Sequence, residues 1–201
     1  MFKKRFAFLA ACCVSGTLLL LACGGQVAKE KVTNGSTNAA ASGNDTLAIA
    51  NLLDTFNATA GRADFQRYFD CLTEDAIFTG TDATERWTKA QFQAYAKPFF
   101  ERGKAWNFTA IDRHITLGKD SSVAWFDELL STQMKICRGS GVAIKQNGNW
   151  KISQYILSAT IPNGLMDSVV SMKAPIEELL IKEITQPPLP DSLRHPVPGR
   201  Y

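Results

Sequence analysis

Histidine is nearly absent and cysteine is scarce: the 201 residues hold two histidines and five cysteines. His114, His195, Cys71 and Cys137, the ones outside the N-terminal segment, are widely separated, so they make no metal-ligand pattern and no metal site is expected. Nucleophile elbows, Walker loops and other cofactor motifs are missing too, and no cofactor is expected. The chain has no internal repeat and no basic stripe, which argues against nucleic acid as a partner. It also lacks an uninterrupted apolar run of the about 20 residues that a spanning helix needs. The longest candidate, Phe6 to Ala22, is broken by Ser15, Gly16 and Thr17.

What is present at the N-terminus is an export leader. Lys3, Lys4 and Arg5 form a basic start, a short apolar core follows, and small residues surround the expected cut. Leu20-Leu21-Ala22-Cys23 resembles the lipobox of bacterial lipoproteins. The resemblance implies cleavage after residue 22, diacylglycerol on Cys23 and acylation of the new amine, so that the lipid bilayer is a partner. Buried acyl chains contribute about 0.8 kcal/mol per methylene, enough together for durable anchoring. Gly24, not aspartate, follows the cysteine, which by the same resemblance implies the outer membrane, facing the periplasm. Three of the 22 cations leave with the leader, and the remaining 19 balance 19 carboxylates.

Four segments follow from this reading. Residues 1–22 are the lipoprotein signal peptide. Residues 23–44 carry the lipidated cysteine and a flexible tether poor in large apolar side chains. Residues 45–170 form the folded domain, and residues 171–201 a helical extension with a proline-rich tail. Of the cysteines left after processing, Cys71 and Cys137 either pair in an oxidising compartment or stay as buried thiols; the reading favours two free thiols.

Within the folded part, Asp45 is expected to cap a helix whose Ile49, Leu52, Leu53, Phe56 and Ala60 share one face, closed by Gly61. Asp64 caps a second, with Phe65, Tyr68, Phe69 and Leu72 on one side. A short strand covers 76–80. Thr88 and Gln91 fit a capping box opening a third helix with Phe92, Tyr95, Ala96 and Phe99, which Pro98 is expected to kink or end early. The period then changes to two. Strands are expected over 106–117, 123–131, 139–146 and 149–159, the last two joined at Asn147-Gly148, a hairpin signal. A helix opens at 165–172, is interrupted by Pro175, and continues through Ile176, Leu179, Leu180 and Ile184.

Helices first and strands afterwards indicate an α+β fold. The residues that carry a more specific likeness are Gly80-Thr81-Asp82, Glu85-Arg86-Trp87, Arg113-His114, Val123-Ala124-Trp125-Phe126-Asp127-Glu128, Cys137-Arg138-Gly139-Ser140-Gly141, Trp150-Lys151-Ile152-Ser153-Gln154-Tyr155 and Ile161-Pro162-Asn163. In this order the chain resembles the SnoaL-like branch of the nuclear transport factor 2-like superfamily. The resemblance implies a cone-shaped, strongly curved antiparallel sheet packed by N-terminal helices, the cystatin-like roll, and a homodimer formed through the outer sheet face with Phe126 and Tyr155. It names no activity, because the superfamily holds both enzymes and binding domains and function belongs to the site.

Strand alternation suggests the pocket. Trp150, Ile152, Gln154 and Ile156 share a face, as do Arg138, Ser140, Val142 and Ile144, and both sets are assigned to the concave side. The Trp125/Asp127 face of the preceding strand is placed inward with them. His114 is placed inward by the resemblance. Trp87, Trp125, Asp127, Arg138 and Gln154 then become the expected ligand pocket for a small apolar molecule. Two uses of Asp127 stay open. Buried in an apolar cavity, it is a general base of isomerase or dehydratase type with His114 as partner. Paired with Arg138, it is structural, and the domain binds without catalysis. The anchor is testable at once: Cys23→Ser should abolish palmitate incorporation, measured by metabolic labelling, and label retained in that variant contradicts the lipobox.

Overall fold

A computed structural model describes residues 35–186, with side chains from residue 43 onward. The expected leader, Cys23, most of the tether and the tail from residue 187 lie outside the described residues. The elements run α1 (Gly35–Gly61), α2 (Phe65–Asp70), β1 (Leu72–Thr79), β2 (Arg86–Thr88), α3 (Lys89–Glu101), β3 (Phe108–Leu117), β4 (Val123–Thr132), β5 (Lys135–Gln146), β6 (Asn149–Ala159), a 3-10 turn (Asn163–Leu165) and α4 (Met166–Thr185).

The α+β architecture is as expected, with local corrections. Helix α1 starts before Asp45, inside the expected tether, because Ala39-Ala40-Ala41 have the strongest intrinsic helix preference. Asp45 is not its cap. Its carboxylate accepts from Lys145 Nζ at 2.6 Å and from Trp150 Nε1 at 2.9 Å, fastening α1 to the β5–β6 hairpin. The hydrogen bonds from Lys145 and Trp150 hold this carboxyl below its usual range. Asp64 does cap α2, accepting from the Arg67 amide. Thr88 and Gln91 form the expected capping box of α3. That helix runs on through Pro98 to Glu101, since Phe92, Ala96 and Phe100 are all buried on one face and hold it against the core. Lys89, its first residue, is buried and donates to Glu74 at 2.8 Å.

Six strands form one sheet in the order β2-β1-β6-β5-β4-β3. Strands β3 to β6 make an antiparallel meander, and β1 joins β6 in parallel. Asn147 (φ 51°) and Gly148 (φ 81°) turn the β5–β6 hairpin, the positive φ values that such a two-residue turn requires. Register shifts interrupt three pairings: between Leu72 and Ile77, between Ala110 and Asp112, and between Val142 and Ala143. Each inserted residue bends its strand and increases the local twist, which curls the sheet around the helices.

The core lies between the inner sheet face and α1, α2 and α3. Phe56 stacks on Tyr68 (4.3 Å between ring centres, 16° apart) and meets Tyr155 at 5.1 Å. Phe78 stacks on Phe92 at 3.9 Å and on Tyr155 at 5.6 Å. These side chains pack the core between sheet and helices. Two glycines of β5 make room for them: a Cβ at Gly139 would overlap the Tyr155 hydroxyl, and one at Gly141 would overlap the Gln154 carbonyl and come within 2.8 Å of the Phe126 ring. Cys71 and Cys137 are both free and buried, and burial pushes the Cys71 thiol up to about 11.

Helix α4 is one continuous helix through Pro175, not two pieces. None of its residues is buried, and Met172 and Ile176 are 77% and 72% exposed, so it does not pack into the core. No helix among the described residues is long and apolar enough to cross a membrane.

Candidate functional site

The residue expected to be buried in the cone, Asp127, is not. Along β4 the buried residues are Ala124, Phe126, Glu128 and Leu130, and the open ones are Val123, Trp125, Asp127 and Leu129. Along β5 the inner face carries Cys137, Gly139, Gly141 and Ala143, so Arg138 faces outward. Strand β6 changes phase at its bulge: Trp150 and Ile152 point inward, and after Ser153 the inward residues are Tyr155 and Leu157. Gln154 and Ile156 therefore face outward, although Trp150 and Ile152 face inward as expected. His114 is also outward, directly opposite Asp127.

Five of the six expected pocket and catalytic residues thus share the outer sheet face. Arg138 Nη1 donates to Asp127 Oδ1 at 3.0 Å, and His114 Nδ1 lies 3.8 Å from the same oxygen. With side-chain exposures of 42% for Asp127, 51% for Arg138 and 68% for His114, this cluster is solvated and has no apolar burial. Trp125 and Gln154 occupy one cross-strand row, separated by Val142. Phe126 and Tyr155, expected on the outer face, are buried inside.

The buried carboxylate is Glu128. It is opposite Arg113 in the β3–β4 ladder, and Arg113 Nε donates to its Oε2 at 2.9 Å. Arg113 Nη2 also approaches that oxygen to 2.7 Å, close enough for ion pairing though not aligned as a hydrogen bond. The other oxygen accepts from Tyr155 at 3.2 Å and from Asn57 at 3.3 Å. Arg113 Nη1 continues to α1, reaching Asp54 at 2.8 Å and the Ala50 carbonyl at 3.1 Å. Desolvation acts to lower the guanidinium, but the charge and hydrogen bond of Glu128, with Asp54, outweigh it and hold Arg113 above its usual value. Burial pushes the Tyr155 hydroxyl well above its ordinary value, and the Glu128 charge adds to the rise. Both oxygens of Glu128 are occupied, so the group is a lock between sheet and helix, not a free base.

Space for a ligand exists where the cone opens. A cavity of about 180 Å³ is lined by the aromatic residues Phe78, Trp87, Phe92, Tyr95, Trp106 and Phe108, by Met134 and Leu157, and by the polar residues Thr81, Glu85 and Gln133. Trp87 and Trp106 each lie nearly parallel to Phe92, at 5.6 and 5.8 Å with planes 8° and 18° apart. Tyr95 stacks on Trp87 at 4.6 Å. Of the expected pocket residues, only Trp87 is here, carried on β2, a strand the sequence pattern does not reveal. A larger hollow of about 600 Å³ lies between α1, α2 and the β5–β6 hairpin. It is open, and its Asp45 and Lys145 already satisfy one another. No group of three or more His, Cys, Asp or Glu among the described residues could hold a metal ion.

Residues 49–162 match the profile of the SnoaL-like domain, more than half of the chain. The protein belongs to the SnoaL-like domain family. Solved structures share its fold. A Mycobacterium tuberculosis protein of unknown function is 18% identical, with 63% of this chain and 78% of that one covered and a TM-score of 0.52. A Novosphingobium aromaticivorans protein, described as a candidate aromatic ring hydroxylase, is 16% identical, with 59% and 91% covered and a TM-score of 0.51. A nuclear transport factor 2-like protein of unknown function from Pseudomonas putida is 13% identical, with 57% and 86% covered and a TM-score of 0.49. No curated protein matches the chain in sequence.

Within this SnoaL-like domain the two ion pairs should differ sharply in cost. Arg113→Ala leaves Glu128 buried and uncompensated and should lower unfolding free energy by about 3–5 kcal/mol. Asp127→Asn removes a solvated pair and should cost about 0–1 kcal/mol. Urea denaturation of the two variants checks this; equal losses contradict the assignment of Glu128 as the lock.

Proposed function

We propose that this SnoaL-like domain is a non-catalytic binding module for a small molecule with an apolar body, held at the cell envelope by lipid on Cys23. The anchor rests on the leader and lipobox, and Gly24 after the cysteine supports the outer membrane, facing the periplasm. The observation that carries the binding role is the aromatic cavity at the mouth of the cone. Small-molecule sites are concave, mainly apolar and edged by a few polar groups, and this cavity has that composition. An apolar cavity of about 150 Å³ accepts a benzene-sized guest, so a space of about 180 Å³ suits a single ring or a compact branched group. The catalytic alternative, Asp127 with His114 in an isomerase or dehydratase, draws no support from a pair exposed to solvent on the opposite face.

A second, compatible role is homodimerisation through the outer sheet face. Trp125, Ile111 and Val123 are 53%, 57% and 39% exposed there, an apolar surface that invites a partner. Trp125→Asp should shift the chain to monomer in light scattering after size-exclusion chromatography; a wild-type chain that is already monomeric refutes this role.

For the cavity, the indole N–H resonances of Trp87 and Trp106 should shift saturably with one or more of phenol, toluene, cyclohexanol and choline at up to millimolar concentration, while that of Trp125 stays in place. No shift with any of the four overturns the binding role.

A further inference from the structure

The cavity at the cone mouth carries more chemical information than its size. We infer that its ligand is an organic cation of the quaternary ammonium type, an inference that rests on the binding role proposed above.

Three observations carry it. First, half of the lining residues are aromatic, and of these Phe78, Trp87, Phe92 and Trp106 are linked by stacked pairs with interplanar angles of 8° to 23°. Phe78 and Phe92, 3.9 Å apart and 15° from parallel, cover one face of each other, so a guest meets only the ring faces left uncovered. Such faces attract a cation, most strongly for tryptophan, and two of the rings are tryptophan. Second, Glu85 is the only charged residue that lines the cavity. Its Oε2 accepts from the Asp82 amide at 3.2 Å, and the side chain folds against Gly80, where a Cβ would leave no room for it. Among the described residues Glu85 has no cationic partner, and its other carboxylate oxygen takes no hydrogen bond. Third, the neighbouring cation is turned away. Arg86 lines a separate hollow with Asp75 and Gln154 on the outer face.

Together these features select charge sign. An anionic guest meets the carboxylate and the π faces with repulsion. A neutral guest gains burial but obliges Glu85 to lose part of its water without compensation. A compact alkylammonium offers an apolar surface to the rings, a diffuse positive charge to their faces, and a counter-charge to Glu85. A strongly hydrated primary ammonium gives up more water on entry, which favours the alkylated forms.

The test compares two molecules of nearly equal shape, choline and its neutral isostere 3,3-dimethylbutan-1-ol, titrated into the full-length chain and followed at the Trp87 and Trp106 indole N–H resonances. Choline should bind at least about tenfold more tightly, the order expected for a cation over desolvated aromatic faces. Glu85→Gln, which retains an acceptor for the Asp82 amide, should weaken choline about tenfold and leave the alcohol unchanged. Far-ultraviolet dichroism of that variant confirms its fold. If the alcohol binds as tightly as choline, or Glu85→Gln affects neither, the cation inference fails while the cavity reading stands. If phenol or toluene shifts the two signals and choline does not, the cation inference fails in the same way. If no compound of either set shifts them, the cavity reading itself falls.

Discussion

The structure depends on one buried ion pair. Glu128 sits fully buried on the inner face of β4, and its charge is tolerable only because Arg113 stands opposite it in the ladder, with Tyr155 and Asn57 supplying the remaining hydrogen bonds. Arg113 then spends its outer nitrogen on Asp54 and the Ala50 carbonyl of α1. A single guanidinium therefore joins β3, β4 and α1. Burying a charge costs several kcal/mol, so the arrangement tolerates little change in register or helix placement. Gly139 belongs to the same arrangement, because the Tyr155 hydroxyl occupies the volume that any larger residue would need.

None of the residues that line the aromatic cavity belongs to this ion-pair arrangement. The aromatic side chains divide accordingly. Phe56, Tyr68, Phe126 and Tyr155 fill the interior, whereas Trp87, Tyr95 and Trp106 border the mouth. The outer sheet face carries the solvated cluster of Asp127, Arg138 and His114, which is polar but shallow.

The helices, the hairpin and the fold class were legible in the sequence because they rest on local signals: apolar spacing, the Thr88–Gln91 box, the Asn147-Gly148 turn. The site was not, because it depends on which face of a strand is buried. In β4 that choice is nearly balanced. Ala124, Phe126 and Leu130 argue for one face, and Val123, Trp125 and Leu129 for the other. The deciding signal lies in pairing: Arg113 shares a face with Ile115 and Leu117, so the carboxylate opposite it must be the inner one, and that is Glu128 and not Asp127. In β6 strict alternation misplaced Gln154 and Ile156 because an inserted residue carries no distinctive side chain. Strand β2 is three residues long, too short for any period to show.

The bulge at Ser153 has a wider meaning for how this chain can vary. Strand β6 is written in two phases, Trp150 and Ile152 in one, Tyr155 and Leu157 in the other, and one residue joins them. Deleting that residue would leave a regular strand in which Trp150, Ile152, Tyr155 and Leu157 still alternate on the inner face, and would remove the local bend that the bulge introduces. The extra residue therefore sets the curvature of β6 and not which of its residues are buried: a loss or gain elsewhere along the strand would invert the buried face, whereas the loss of Ser153 would straighten the strand and keep it.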